Sequence, residues 1–89
     1  MIVTAELSLY PLRDDAIPVI KEFIHDLRRS EGIEIITNQL STQIRGDFDA
    51  VTGAMNRGMR KVMAEEGTVI VVAKYLNVDL PIGRAPRLD

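Results

Sequence analysis

Cysteine is absent from the chain, and with it go disulfide frameworks, cysteine zinc sites and thiol nucleophiles. Histidine occurs once, at His25, so one chain cannot build a multi-histidine metal centre. Neither sign of charge dominates: 11 basic and 13 acidic side chains leave a formal net charge of -2. Nothing therefore draws the whole molecule toward nucleic acid or an anionic membrane. No apolar run approaches the ~18 residues of a membrane span. Met1–Glu6 also lacks the basic-then-apolar pattern of a secretion signal. The expectation is a soluble cytoplasmic protein with no nucleic-acid partner and no membrane insertion. Catalytic constellations are missing too: there is no Ser-His-Asp set, no glycine-rich phosphate loop and no carboxylate pair at useful spacing.

What is present is globular material. Over 89 residues, 46% are hydrophobic and 27% charged, which suits one small domain with a thin core. Residues 2–10 alternate, with Val3, Ala5, Leu7 and Leu9 against Thr4, Glu6, Ser8 and Tyr10. That period of two predicts a strand, ended by Pro11. Asp14 and Asp15 offer an N-cap, Pro18 suits a first turn, and Ile17, Ile20, Phe23, Ile24 and Leu27 have helical spacing through about residue 30. Gly32 is a candidate left-handed stop. Residues 33–37 and 41–46 predict two further strands, with a turn or bulge at Asn38-Gln39-Leu40. Gly46-Asp47 is expected to break the chain, with Asp47 capping a second helix through about residue 65. Phe48, Val51, Met55, Met59 and Val62 form its apolar stripe. Residues 68–76 are the most apolar strand. The domain is expected over 1–77, with 78–89 an irregular tail.

The order is βαββαβ. Short connections and right-handed crossovers make this an α+β, ferredoxin-like fold: a four-stranded antiparallel sheet of order 4-1-3-2 with both helices on one face. The last strand is apolar on both alternating rows, Val69, Val71 and Ala73 against Ile70, Val72 and Leu76. Two-sided apolarity calls for cover on both faces. The chain has no third layer to offer, so a homo-oligomer is expected, a dimer or tetramer packed sheet to sheet. On the central strands the row away from the helices is polar: Thr4, Glu6 and Ser8 beside Ser41, Gln43 and Arg45. Polar groups there need solvent, a subunit partner such as a Glu6–Arg45 pair, or a ligand. Gly53 and Gly58 weaken the second helix and suggest close approach by a subunit or ligand.

Two stretches carry a specific resemblance. One is Ala5-Glu6-Leu7-Ser8-Leu9-Tyr10-Pro11-Leu12, followed by Asp14-Asp15 and Val19-Ile20-Lys21. The other is Ser41-Thr42-Gln43-Ile44-Arg45-Gly46-Asp47. Over about residues 3–75 the chain resembles the YkoF-like family of thiamine and hydroxymethylpyrimidine binding proteins, as a single-domain member. The resemblance implies a non-enzymatic binder for vitamin B1 salvage or transport that associates sheet to sheet. It implies no cofactor, since thiamine or its pyrimidine precursor is itself the ligand. Glu6, Ser8, Asn38, Ser41, Thr42 and Gln43 are the hydrogen-bonding candidates, and Tyr10 supplies an aromatic face. Competing classes on the same strand order are an acylphosphatase or small dimeric oxygenase using Arg13 or Asn38, and an amino-acid-sensing regulatory domain. An RNA-recognition module would need aromatics on the central strands, where this chain has Ser41, Gln43 and Arg45.

Overall fold

A computed structural model describes all 89 residues. Six elements follow in order: β1 (Ile2–Pro11), α1 (Ala16–Arg28), β2 (Ile33–Thr37), β3 (Thr42–Asp47), α2 (Phe48–Met63) and β4 (Val69–Leu76). The sheet is antiparallel throughout, in the order β2-β3-β1-β4, and the fold is the ferredoxin-like arrangement that the strand order implies. No helix is long and apolar enough to cross a membrane.

The alternation of β1 sets the layers. Val3, Ala5, Leu7 and Leu9 are buried beneath the helices, and Ile44 joins them from β3. α1 buries Val19, Phe23 and Leu27, a stripe of period four, with Ile20 packed against it. Ile17, expected in that stripe, is exposed because, two residues before Val19, it points to the other side of the helix. α2 buries Val51, Ala54, Met55, Gly58 and Val62, whereas Phe48 and Met63 at its two ends face outward. Gly32 and Gly67 hold positive φ (78° and 99°) and turn the chain after α1 and after α2.

The two helix starts differ. Asp47 caps α2 as expected, accepting from the Asp49 N–H at 3.2 Å. Asp15 precedes α1 but makes no cap bond, because Arg13 takes its carboxylate. A guanidinium two residues away competes successfully with the backbone N–H groups. Gly46 is not a breaker either; it lies inside β3, paired with Val3 and Ile33.

β1 is staggered between its neighbours. It pairs with β3 from Ile2↔Asp47 to Leu7↔Thr42, and with β4 from Thr4↔Leu76 to Pro11↔Val69. On the face away from the helices this register aligns Glu6 with Gln43 and Lys74, Ser8 with Val72, and Tyr10 with Ile70. The expectation that this chain supplies no cover for that face needs correction. The tail folds back over one end of it. Thr4 Oγ1 donates to the Val78 carbonyl at 2.7 Å and accepts from the Leu80 N–H at 3.1 Å, and Asp79 pairs with Arg45. Thr4 is thereby buried. Arg45 is committed to the tail rather than to Glu6. Within one chain β4 is also not buried on both sides. Val69 and Val71 pack on the core, but Ile70 is 45% exposed and Val72 56%.

The close approach at α2 comes from within the chain. A Cβ on Gly58 would lie 3.1 Å from Phe23 Cε1 and 3.3 Å from Leu27 Cδ2, both buried on α1. A Cβ on Gly53 would meet only the Arg57 guanidinium, at 3.2 Å. Neither position therefore needs a subunit or a ligand. Gly53→Ala is expected to stabilise the domain by up to ~1 kcal/mol through helix propensity. Gly58→Ala is expected to lose about 1 kcal/mol net, overpacking outweighing the same gain. Urea denaturation of both variants checks the opposite signs.

Candidate ligand-binding site

The chain turns from β2 to β3 over Asn38–Ser41. Asn38 builds this turn: its Oδ1 accepts from the Leu40 N–H at 2.9 Å and the Ser41 N–H at 3.1 Å, while its own N–H donates to the Ser41 carbonyl. The turn stands opposite α1 and encloses a cavity of about 270 Å³. Phe23, Ile20 and Ile24 of α1 and Leu7 and Leu9 of β1 give it apolar walls. Thr37 and Thr42 face each other in it, their hydroxyls 3.0 Å apart. Leu40 overhangs it at the turn tip, 91% exposed. No lining side chain is charged. A mostly apolar hollow with a few convergent polar groups is the usual form of a small-molecule site.

Of the seven residues singled out from sequence, Asn38, Ser41 and Thr42 border this cavity from the turn and β3, and Ser8 and Tyr10 border it from β1 with their side chains on the outer face. Thr42 shares the helix-facing row of Ile44 and Leu7 and is buried, so it does not belong with Gln43 on the outer face. Glu6 and Gln43 lie outside the cavity, paired on the outer face. Glu6 is satisfied within the chain. Its Oε1 sits 3.1 Å from Lys74 Nζ and its Oε2 accepts from Ser41 Oγ at 3.0 Å. Ser41 thus connects the cavity to the outer-face cluster. Sequence reasoning missed Thr37, Phe23 and Leu40. Thr37 was within reach: with Ile44 inward, the β2 row Ile33, Ile35, Thr37 must face the same side.

The residues on which an acylphosphatase or oxygenase reading depends are otherwise engaged. Arg13 pairs with Asp15 and donates Nη1 to the Glu66 carbonyl at 3.1 Å, and Asn38 is the turn former. That pairing holds Asp15 below the ordinary carboxylate value of 3.8. Arg57, Arg60 and Lys61 do not converge on an anion site; Lys61 is tied to Asp26 and Glu22.

Fold and cavity together define a ferredoxin-like domain with one neutral, ring-sized hollow beside its second hairpin. The chain belongs to the YKOF-related family, whose model matches residues 2–82. The match runs past the last strand and takes in the docked part of the tail. No curated protein matches the chain. A Streptococcus pneumoniae protein is 24% identical with a TM-score of 0.79, over 92% of this chain and 91% of its own. A hypothetical protein from Methanocaldococcus jannascii is 22% identical with a TM-score of 0.76, over 88% of this chain and 81% of its own. A candidate thiamine biosynthesis/salvage protein from Thermotoga maritima is 17% identical with a TM-score of 0.73, over 97% of this chain and 90% of its own. At these identities the likeness establishes the shared fold.

The Glu6 cluster has a pH signature. The hydrogen bond from Lys74 and then that from Ser41 hold the Glu6 carboxyl below its ordinary 4.5. A lowered value means the contribution to stability is complete above 4.5 and is lost as pH falls through the folded value. In an NMR titration of the Glu6 carboxyl, Lys74→Met is expected to move the midpoint up toward 4.5, and Ser41→Ala to move it up by less. An unmoved midpoint in Lys74→Met would show that the pair is not formed in solution.

Proposed function

We propose that this protein binds thiamine or its hydroxymethylpyrimidine precursor, without converting it, for vitamin B1 salvage or transport. The observation that carries the reading is the cavity of about 270 Å³, apolar and uncharged, with the Thr37–Thr42 hydroxyl pair inside it. Family membership and the thiamine-related name of the Thermotoga relative support it. An aminopyrimidine offers an exocyclic amine beside a ring nitrogen, and neutral hydroxyl and amide groups satisfy both. Ser41 and Thr42 supply hydroxyls, Asn38 retains a free side-chain NH₂, and Phe23 supplies an aromatic face, whereas the Ser8 and Tyr10 side chains belong to the outer face. Drug-sized ligands commonly occupy ~300–1,000 Å³. The cavity therefore suits the pyrimidine half, with the thiazolium of thiamine projecting from the mouth. Glu6 and Gln43 belong in this reading to the outer face rather than to the ring contacts.

Calorimetric titration tests it. Hydroxymethylpyrimidine and thiamine are both expected to bind. Thr42→Val is expected to weaken the pyrimidine roughly two- to tenfold, the value of one neutral hydrogen bond. Glu6→Gln should change affinity by less than about twofold. At a hundredfold excess over Kd, binding should add about 2.7 kcal/mol of stability, several degrees in Tm for a domain this small. Absence of binding by both compounds removes the reading.

The same proposal includes self-association through the outer face beside β4. Ile70, Val72 and Tyr10 form an exposed apolar row there, beyond the reach of the tail. Such a row beside an open edge strand favours a second protein surface. Light scattering at micromolar concentration should give a dimer or tetramer, and Val72→Glu should return a 9.9 kDa monomer. A monomeric wild type would exclude the association.

A further inference from the structure

The staggering of β1 leaves the buried Leu9 with both its backbone groups unpartnered, and beyond it only the carbonyl of Pro11, which has no N–H, faces the same open flank. In an antiparallel strand successive residues aim their N–H and C=O alternately at the two neighbours. Two bonds fix the phase here. The Phe48 N–H donates to the Met1 carbonyl on the β3 side, and the Leu12 N–H donates to the Thr68 carbonyl on the β4 side. Both continue the observed registers, so odd-numbered β1 residues address β3 and even-numbered ones address β4. Val3, Ala5 and Leu7 find Gly46, Ile44 and Thr42. Leu9 would come next, opposite Leu40. The chain has already turned away there, and the Leu40 N–H donates instead to Asn38 Oδ1. Neither the N–H nor the C=O of Leu9 has a hydrogen-bonding partner in the chain. Yet Leu9 is only 7% exposed, and it lines the cavity. Buried backbone groups without partners are rare and destabilising.

We infer that the Leu9 main chain is the recognition edge of the cavity: its N–H and C=O pair side by side with a planar heteroaromatic ring that carries an amine next to an unprotonated ring nitrogen. The ring nitrogen accepts from the Leu9 N–H, and the amine donates to the Leu9 carbonyl. The ring occupies the place in the sheet that β3 vacates, with Phe23 over it and the threonine hydroxyls beyond. A peptide strand is the other natural occupant of a free sheet edge. Only one donor–acceptor pair is open here, within about 270 Å³, which is too little to set the register of a strand. The inference rests on the reading of this hollow as an aminopyrimidine site and adds the groups that select for that ring. Because the selecting groups belong to the main chain, no side-chain comparison would reveal them.

The test combines NMR with a backbone substitution. The protein is titrated with hydroxymethylpyrimidine, thiamine and plain 4-aminopyrimidine while the Leu9 amide is followed. Two analogues of the tightest binder are added, one lacking the amine and one with CH in place of the adjacent ring nitrogen. The Leu9 amide proton is expected to move downfield on saturation, and each analogue to bind roughly two- to tenfold more weakly. Replacing the Ser8–Leu9 amide by an ester removes an N–H that no group in the chain uses. It also weakens the Ser8 carbonyl, which faces Val72 in the sheet, so a modest fall in Tm is expected and the binding comparison with the CH analogue carries the test. Affinity for the parent ring should fall by a similar factor, while affinity for the CH analogue should not change. If thiamine or hydroxymethylpyrimidine saturates the protein with the Leu9 amide unmoved, or the ester binds the parent ring unchanged, the edge assignment is overturned and the vitamin reading stands. If only 4-aminopyrimidine binds and moves Leu9, the edge stands and the vitamin reading fails. If no ring binds, both fall.

Discussion

The pairing of β1 with two neighbours of unequal reach determines most of what distinguishes this domain. β1 is the longest strand and the centre of the sheet, but β3 accompanies only its first part and β4 only its later part. Each end of β1 therefore has one open flank. The tail crosses the sheet near the first of these ends, and Thr4 ties it down through Val78 and Leu80. At the other end, β3 yields to the Asn38 turn, and α1 roofs the gap with Phe23 and Ile24. A cavity beside a central strand follows from the offset itself. Were β3 two residues longer in the same register, Leu40 would pair with Leu9 and the hollow would close.

The helices fix the size of that gap. α1 sits close to α2 because Gly58 allows the Phe23 and Leu27 side chains to reach its backbone. Phe23 therefore serves two surfaces, the helix–helix contact and the cavity wall. A change on α2 can alter the hollow without touching it. This coupling runs through packed side chains with little room to move, as dense interiors require.

Much of this was legible in the residues. Alternation in 2–10, helical spacing after Asp15 and Asp47, and the glycine at 32 place all six elements to within about two residues, and the strand order follows from connection rules. The site was only partly legible. Asn38, Ser41 and Thr42 of the candidate residues meet at one cavity, but grouping Thr42 with its sequence neighbours Ser41 and Gln43 ignores strand parity, which puts it on the opposite face. Glu6 drew attention as a carboxylate on a central strand, and Lys74 answers it from a strand that only the three-dimensional register brings alongside. Asp15 has the sequence pattern of a cap, and nothing in a one-dimensional pattern reports that Arg13 reaches it first. The tail carried no periodicity at all. It is held by one threonine hydroxyl and one ion pair, interactions that leave no repeat in a sequence.

The cavity lining contains no aspartate, glutamate, histidine, lysine or arginine. Across the physiological range the hollow is consequently electrostatically silent: protons come and go elsewhere on the surface while its walls keep one charge state. Glu6, which accepts from Ser41 on the outer face, is held below 4.5 and stays ionised across that range, so a guest brings the group that titrates. Any acid–base dependence of occupancy then measures the guest's own basicity, shifted by transfer from water into an apolar enclosure. Such an enclosure favours the unprotonated ring.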